Sequence, residues 1–186
     1  MLRTTPVNPT KSNAWRSARS HPCVISLPVR KLLLRDWPDI PTCQHKGRLR
    51  ILDYGCGFGD DAYELNKIPG YDVSAYDPYF RPDKTRKILK RQYDIVLCTY
   101  VLNVVKYRGE RQAILERIRA RLRAKRGVAY ITVRRGMKMG DRKNGSWQGD
   151  VRLMLPEVFD NSQYTTYILH AHRCELPMRF EELQYV

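Results

Sequence analysis

A chain of 186 residues has the length of one domain, and its 42% hydrophobic and 28% charged residues exclude a disordered or fibrous polymer. No apolar run approaches the ~18–20 residues of a membrane helix. The charge is unusual: 34 Lys+Arg against 19 Asp+Glu give +15, carried by residues 1–50 (+8) and 101–150 (+10) around near-neutral blocks at 51–100 (−1) and 151–186 (−2), which points to an anionic partner.

Residues 1–47 read as a basic N-terminal arm and short helix, accessory to the domain formed by 48–186. Lys11, Trp15, Arg16 and Arg19 lie in the arm. Ser26 is a capping residue, Pro28 suits a first turn, and the apolar face that follows predicts a helix stopping near Trp37-Pro38. A loop runs from Pro38 to Gly47.

From Arg48 the pattern alternates strand, turn and helix. A strand at Leu49–Asp53 ends in the glycine-rich turn Gly55-Cys56-Gly57-Phe58-Gly59, and Asp60–Lys67 continues as a helix. A second strand, Tyr71–Asp77, is stopped by Pro78. Tyr93–Thr99 reads as a buried strand. Glu110–Lys125 is an amphipathic helix with Ile114, Leu115, Ile118 and Leu122 on one face and arginines on the rest. After Gly127 comes a strand at Val128–Val133, and two further candidates lie at Val151–Leu155 and Tyr164–Ala171. This order predicts an α/β fold, Rossmann-like and doubly wound, with a mostly parallel sheet closed by an antiparallel pair.

The chemistry concentrates at Asp53-Tyr54-Gly55-Cys56-Gly57-Phe58-Gly59-Asp60-Asp61. Glycines at alternate positions let the backbone turn sharply and approach a ligand, and the helix start adds unpaired amides. The spacing is Gly-x-Gly-x-Gly, and acids at the helix start oppose a pyrophosphate while suiting a cationic ligand. Asp77, at the end of the next strand, is placed to accept hydrogen bonds from ribose hydroxyls. A ligand with a ribose and a positive, amino-acid-like end answers both halves. S-adenosyl-L-methionine is such a ligand.

The stretch Leu52–Asp77 resembles the cofactor site of class I S-adenosylmethionine-dependent methyltransferases. The resemblance implies a seven-stranded sheet whose last strand is antiparallel. It places Gly55, Cys56 and Gly57 against the methionyl part, Asp77 on the ribose, and Thr99 and Tyr100 beside the cofactor. Asp53, Tyr54, Gly59, Asp60 and Pro78 complete the expected cofactor set. Asp53-Tyr54-Gly55-Cys56-Gly57, Gly59-Asp60-Asp61, Tyr76-Asp77-Pro78, Tyr100–Val105 and Glu110-Arg111 are moreover similar to the methyltransferases associated with DNA phosphorothioation.

Methyl transfer from an activated sulfonium needs alignment more than a base. Asn103 and Tyr100 are the candidates for holding or polarising the acceptor. No Asn/Asp-Pro-Pro-aromatic segment follows the Tyr93–Thr99 strand, and Cys98 lies within it, which speaks against adenine-N6 and carbon-5 cytosine chemistry of the common kinds. Arg134, Arg135, Lys138, Arg142 and Lys143, with Trp147, follow a strand end where ligands bind in open α/β folds. With Lys11, Arg16 and Arg19 they make the expected nucleic-acid surface, for DNA or RNA. The alternatives are a methyltransferase acting on an anionic small molecule or protein, and a non-catalytic binding module. His21/Cys23, Cys43/His45 and His170/His172/Cys174 have one-residue gaps unlike those of zinc sites, so no metal is expected. An odd cysteine count without framework spacing and a polar start suggest a cytoplasmic protein.

Overall fold

In a computed structural model, residues 14–34, 48–83 and 87–171 are described. The strands are β1 (Leu49–Tyr54), β2 (Tyr71–Tyr76), β3 (Ile95–Thr99), β4 (Val128–Arg134), β5 (Gly140–Asp141), β6 (Trp147–Gln148), β7 (Glu157–Asp160) and β8 (Tyr164–His170). The helices are α1 (Leu27–Leu34), α2 (Asp60–Leu65) and α3 (Arg108–Arg119), with 3-10 turns at Ala14–Ser17 and Leu102–Val104.

The main sheet has the order β2-β1-β3-β4-β8-β7, and β5 pairs separately with β6. β1, β2, β3 and β4 run parallel, and β8 is antiparallel to both β4 and β7. Strand alternation divides the core into two layers. Leu49, Ile51, Ile95, Leu97, Val128 and Tyr130 meet Val29, Leu32 and Leu33 of α1 and Ala62 and Leu65 of α2. Leu52, Val96, Cys98, Ala129, Ile131 and Val133 meet Ile114, Leu115 and Ile118 of α3. Burying each large apolar side chain of these layers stabilises the fold by about 1.5–3 kcal/mol. Helices therefore cover both faces, as expected.

Six strands, not seven, form the main sheet among the described residues. The sheet ends at β2, because the connection onward folds back through an antiparallel bridge between Asp77 and Arg81. Val151–Leu155 is not a strand. Val151 and Leu153 are buried, but β8 already pairs along the whole of β4, so no ladder edge remains beside it. The last strands are instead the β7–β8 hairpin. α3 stops at Arg119, short of Lys125, because the following backbone pairs with Tyr93: its amide donates to the Arg121 carbonyl, and its carbonyl accepts from the Arg123 amide. α2 ends at Leu65, where the Asn66 side chain donates to Ala62 and Val73 carbonyls. The Pro38–Gly47 loop and the expected helix stop at Trp37-Pro38 lie outside the described residues. Among the described residues no helix is long and apolar enough to cross a membrane.

The chain leaves β1 toward β2 on one side and returns with β3 on the other. This reversal opens a crevice between the β1 and β3 exits, where open α/β sheets take their ligands.

Candidate functional site at the sheet switch point

The glycine turn occupies that crevice. Gly55, Gly57 and Gly59 have φ of +77°, +55° and +82°. At Gly55 the requirement is steric as well, because an added Cβ would lie 2.4 Å from Val101 Cγ2 in the facing loop. Gly55 and Cys56 amides both donate to the Tyr76 carbonyl, at 2.7 and 3.1 Å, tying the turn to the end of β2. The Arg81 side chain lies over Gly59, and its Nε donates to the Phe58 carbonyl at 2.7 Å. In the sequence Val101 stands only within the Tyr100–Val105 stretch and nothing marks Arg81, since each contributes through a contact distant in the chain.

The acids of the turn have separate surroundings. Asp53 is 5% exposed and its carboxyl makes no hydrogen bond to a described residue. Burial, then the nearby Asp61 and Asp77 charges, push its pKa well above the ordinary carboxylate range. Asp77 Oδ1 accepts from the Tyr79 and Phe80 amides at 2.8 and 2.9 Å, and Oδ2 accepts from Gly57 at 3.1 Å. One acceptor position remains on Oδ2. Pro78 begins the same tight turn.

Asp60 and Asp61, expected to favour a cationic ligand, are bonded instead to the N-terminal segment. Asp60 Oδ2 accepts from Ser20 Oγ at 3.0 Å and the His21 amide at 2.6 Å. Asp61 accepts from the Ser26 amide and hydroxyl, both at 2.6 Å. The segment thus passes across the turn at Gly57, where an added Cβ would lie 3.4 Å from the Ala18 methyl. The Cys56 thiol is pushed up by burial and by Asp53 and Asp77, and Cys98 by burial and Asp53. Both thiols therefore stay protonated and poorly nucleophilic.

Thr99 and Tyr100 form the opposite lip. Tyr100 has φ +59°, a conformation unusual for a residue with a side chain and one that concentrates at functional sites. The Arg134 guanidinium lies 5.4 Å from its ring centroid, and the Tyr164 ring meets it edge-on at 6.4 Å. Burial pushes the Tyr100 hydroxyl up to about 12, against the lowering effect of Arg134. Tyr54, on the α3 face, is likewise raised to about 12 by burial, with Arg117 opposing.

Asn103 has a different role from the one expected. It is 2% exposed; Nδ2 donates to Arg134 and Gly149 carbonyls at 3.1 and 2.9 Å, while Oδ1 accepts the Arg134 amide at 2.7 Å. Its polar atoms are committed to the framework, joining the β3 exit to β4 and to the chain just after β6. Tyr100 is the member of that candidate pair left facing the crevice.

The expected basic surface also divides. Lys11 lies outside the described residues. Arg16 Nη1 donates to the Asn144 carbonyl at 2.9 Å, and Arg19 Nη1 to the Ala18 carbonyl at 2.9 Å. Arg135 pairs with Asp150 at 3.0 Å and Asp160 at 3.9 Å. Arg142 Nη2 donates to the Lys138 carbonyl at 2.9 Å. Trp147 is 6% exposed in the α3-side core, so it is no stacking platform for a base. Arg16, Arg19, Arg134, Lys138 and Lys143 are exposed. His21 and Cys23 are exposed, His170 ends β8, and Cys43, His45, His172 and Cys174 lie outside the described residues.

These groups suit S-adenosylmethionine. A buried carboxyl without a partner among the described residues sits beside Asp61 and Asp77, where a sulfonium or an α-ammonium would favour its ionised form and match the neighbouring charges. The remaining Asp77 acceptor position suits a ribose hydroxyl, and the Gly55 turn leaves no side chain between backbone and ligand.

The model of a methyltransferase domain family matches residues 23–171. No curated protein matches the chain. Among solved structures, the chain is similar to an S-adenosylmethionine-dependent methyltransferase from Bacteroides fragilis in complex with S-adenosyl-L-homocysteine. That likeness is 14% identity over 68% of this chain and 74% of that one, with a TM-score of 0.43. TehB from Haemophilus influenzae is 14% identical over 65% and 57% of the two chains, at a TM-score of 0.42. The mitomycin 7-O-methyltransferase MmcR is 14% identical over 65% and 48%, at 0.43. The glycine turn at the switch point falls within the matched span, and the chain belongs to the methyltransferase domain family.

Proposed function

We propose that the chain transfers the methyl group to a nitrogen or oxygen of a nucleic acid. The carrying observation is Arg134, exposed at the end of β4 with its guanidinium over the Tyr100 ring, on the lip facing the glycine turn. Lys138 and Lys143 are exposed on the loop that follows. A guanidinium beside an aromatic ring suits a phosphate next to a splayed base. The resemblance to methyltransferases associated with DNA phosphorothioation makes DNA the first polyanion to test.

In this reading Asp53 faces the cationic methionyl end of the cofactor, Asp77 receives the ribose, and Thr99 and Tyr100 border the methyl-transfer path. When bound, the cofactor supplies a sulfonium-activated methyl group. Tyr100 positions the acceptor ring, and Arg134 holds its phosphate. Nitrogen or oxygen is favoured over carbon-5 because burial keeps Cys56 and Cys98 protonated. The acceptor's own lone pair would form the bond to the methyl carbon as that carbon's bond to sulfur breaks, the electron pair staying on sulfur as a thioether and the acceptor's proton passing to solvent.

The test is incubation of the full chain with methyl-labelled cofactor and separate pools of DNA, RNA and cell extract, followed by digestion and mass spectrometry. Labelled nucleosides are expected. Label confined to metabolites or protein overturns the nucleic-acid reading.

A further inference from the structure

The densest charge in the sequence is not gathered at the methyl-transfer edge. α3 begins beyond the exit of β3 and finishes beside its entry, where Tyr93 exchanges backbone hydrogen bonds with Arg121 and Arg123. The run after Arg119 therefore lies at the N-terminal edge of the parallel strands. β3 and β4 are 5 and 7 residues long, so this edge lies about 15–20 Å from the glycine turn.

Two acids near this edge are already matched. Asp94 pairs with Arg123 at 2.6 Å and accepts the Arg50 amide at 2.9 Å, while Asp72 pairs with Arg91 at 2.6 Å. Arg48, Arg50, Lys90, Arg121, Lys125 and Arg126 have no ion pair to a described residue, and all but the half-buried Arg121 are exposed. Alternation along β1 turns Arg50 to the α3 face, the side of Leu52 and Tyr54, and Arg48 immediately precedes the strand. Among the described residues the exposed aromatics Phe58, Tyr63 and Tyr107 belong to other parts of the molecule, so no exposed ring is described at this edge beside its cations.

We propose that this edge is a second nucleic-acid contact, binding the sugar–phosphate backbone without reading bases. It acts as an anchor: a polyanion held here raises the local concentration of its neighbouring segments at the other end of the sheet. The anchor does not depend on which atom is methylated, and it operates without turnover.

Fluorescence anisotropy of the full chain with labelled duplex DNA and the matching RNA, across a salt series, tests it. Arg121→Gln/Lys125→Gln/Arg126→Gln should weaken binding of both and make the log K against log salt slope shallower by about 2.7, since each phosphate contact contributes about 0.9. Cofactor affinity by calorimetry should be unchanged. Should that variant lose its cofactor affinity through misfolding, Arg48→Gln/Arg50→Gln provides the same comparison, with a slope change of about 1.8. Retention of wild-type slope and affinity in the folded variants overturns the proposal. So does a wild-type chain that binds anionic phospholipid vesicles but neither oligonucleotide, or that binds none of them. Failure of the acceptor reading shows separately, in the product analysis.

Discussion

Gly55→Ala tests the closeness of the β1 and β3 exits on which the crevice depends. At φ +77° an alanine costs about 1–2 kcal/mol. Its Cβ would also meet Val101 Cγ2 at 2.4 Å and Cγ1 at 3.1 Å. Val101 is β-branched with few rotamers to escape into, so overpacking adds about 1–3 kcal/mol. The expected loss is about 2–5 kcal/mol in all. Gly70→Ala is the control: its φ is +89°, but nothing lies within 4 Å, leaving the conformational cost alone. Urea unfolding of both variants reads the difference, expected at about 1–3 kcal/mol. Val101→Ala added to Gly55→Ala should recover much of that difference. If Gly55→Ala is no more destabilising than Gly70→Ala, the two loops are not in contact and the crevice is wrongly drawn.

Asp53 holds its proton above the ordinary carboxylate range, so the native cofactor-free protein binds a proton that the unfolded chain has released. Its contribution to stability therefore declines as pH rises from that range to the raised value, and stays low beyond it. Asp53→Asn should remove this decline and raise the urea midpoint at neutral pH; an unchanged midpoint–pH curve refutes the assignment. Asn103→Ala leaves the Arg134 amide and the Arg134 and Gly149 carbonyls without their side-chain partner, and should cost about 2–4 kcal/mol in urea unfolding. A stable Asn103→Ala with only its acceptor KM altered would restore it to the acceptor site. Arg134→Ala should weaken oligonucleotide binding and flatten its salt slope by about 0.9, whereas Arg135→Ala, already ion-paired, should leave the slope unchanged. Equal effects would mean that the Arg135 pairs do not persist in solution.

Local signals made the cofactor region legible. Strand, glycine turn, helix and Asp77 are close enough in sequence for spacing to bring them together, and the continuous apolar runs of β3 and β4 identify buried strands. Contacts between distant segments were not legible. Asn103 looks like a crevice residue until β4 and Gly149 arrive at its amide, and Trp147 looks like a surface aromatic until the α3-side core closes around it. Asp60 and Asp61 look available for a cation until Ser20, His21 and Ser26 occupy them. Val151–Leu155 has strand alternation, but pairing depends on which edge is vacant, a property of the whole sheet. The arginines after Ile118 are visibly one-sided; only the direction of α3 across the sheet shows that they lie away from the methyl donor.

The most direct test of the central claim is calorimetry of S-adenosylmethionine with wild-type protein and Asp53→Asn. Saturable one-site binding to the wild type is expected, weakened about 10–100-fold when the buried carboxyl, which ionises against the cationic cofactor, becomes an amide. Absence of binding to the wild type, or equal affinity in the two proteins, would contradict the claim.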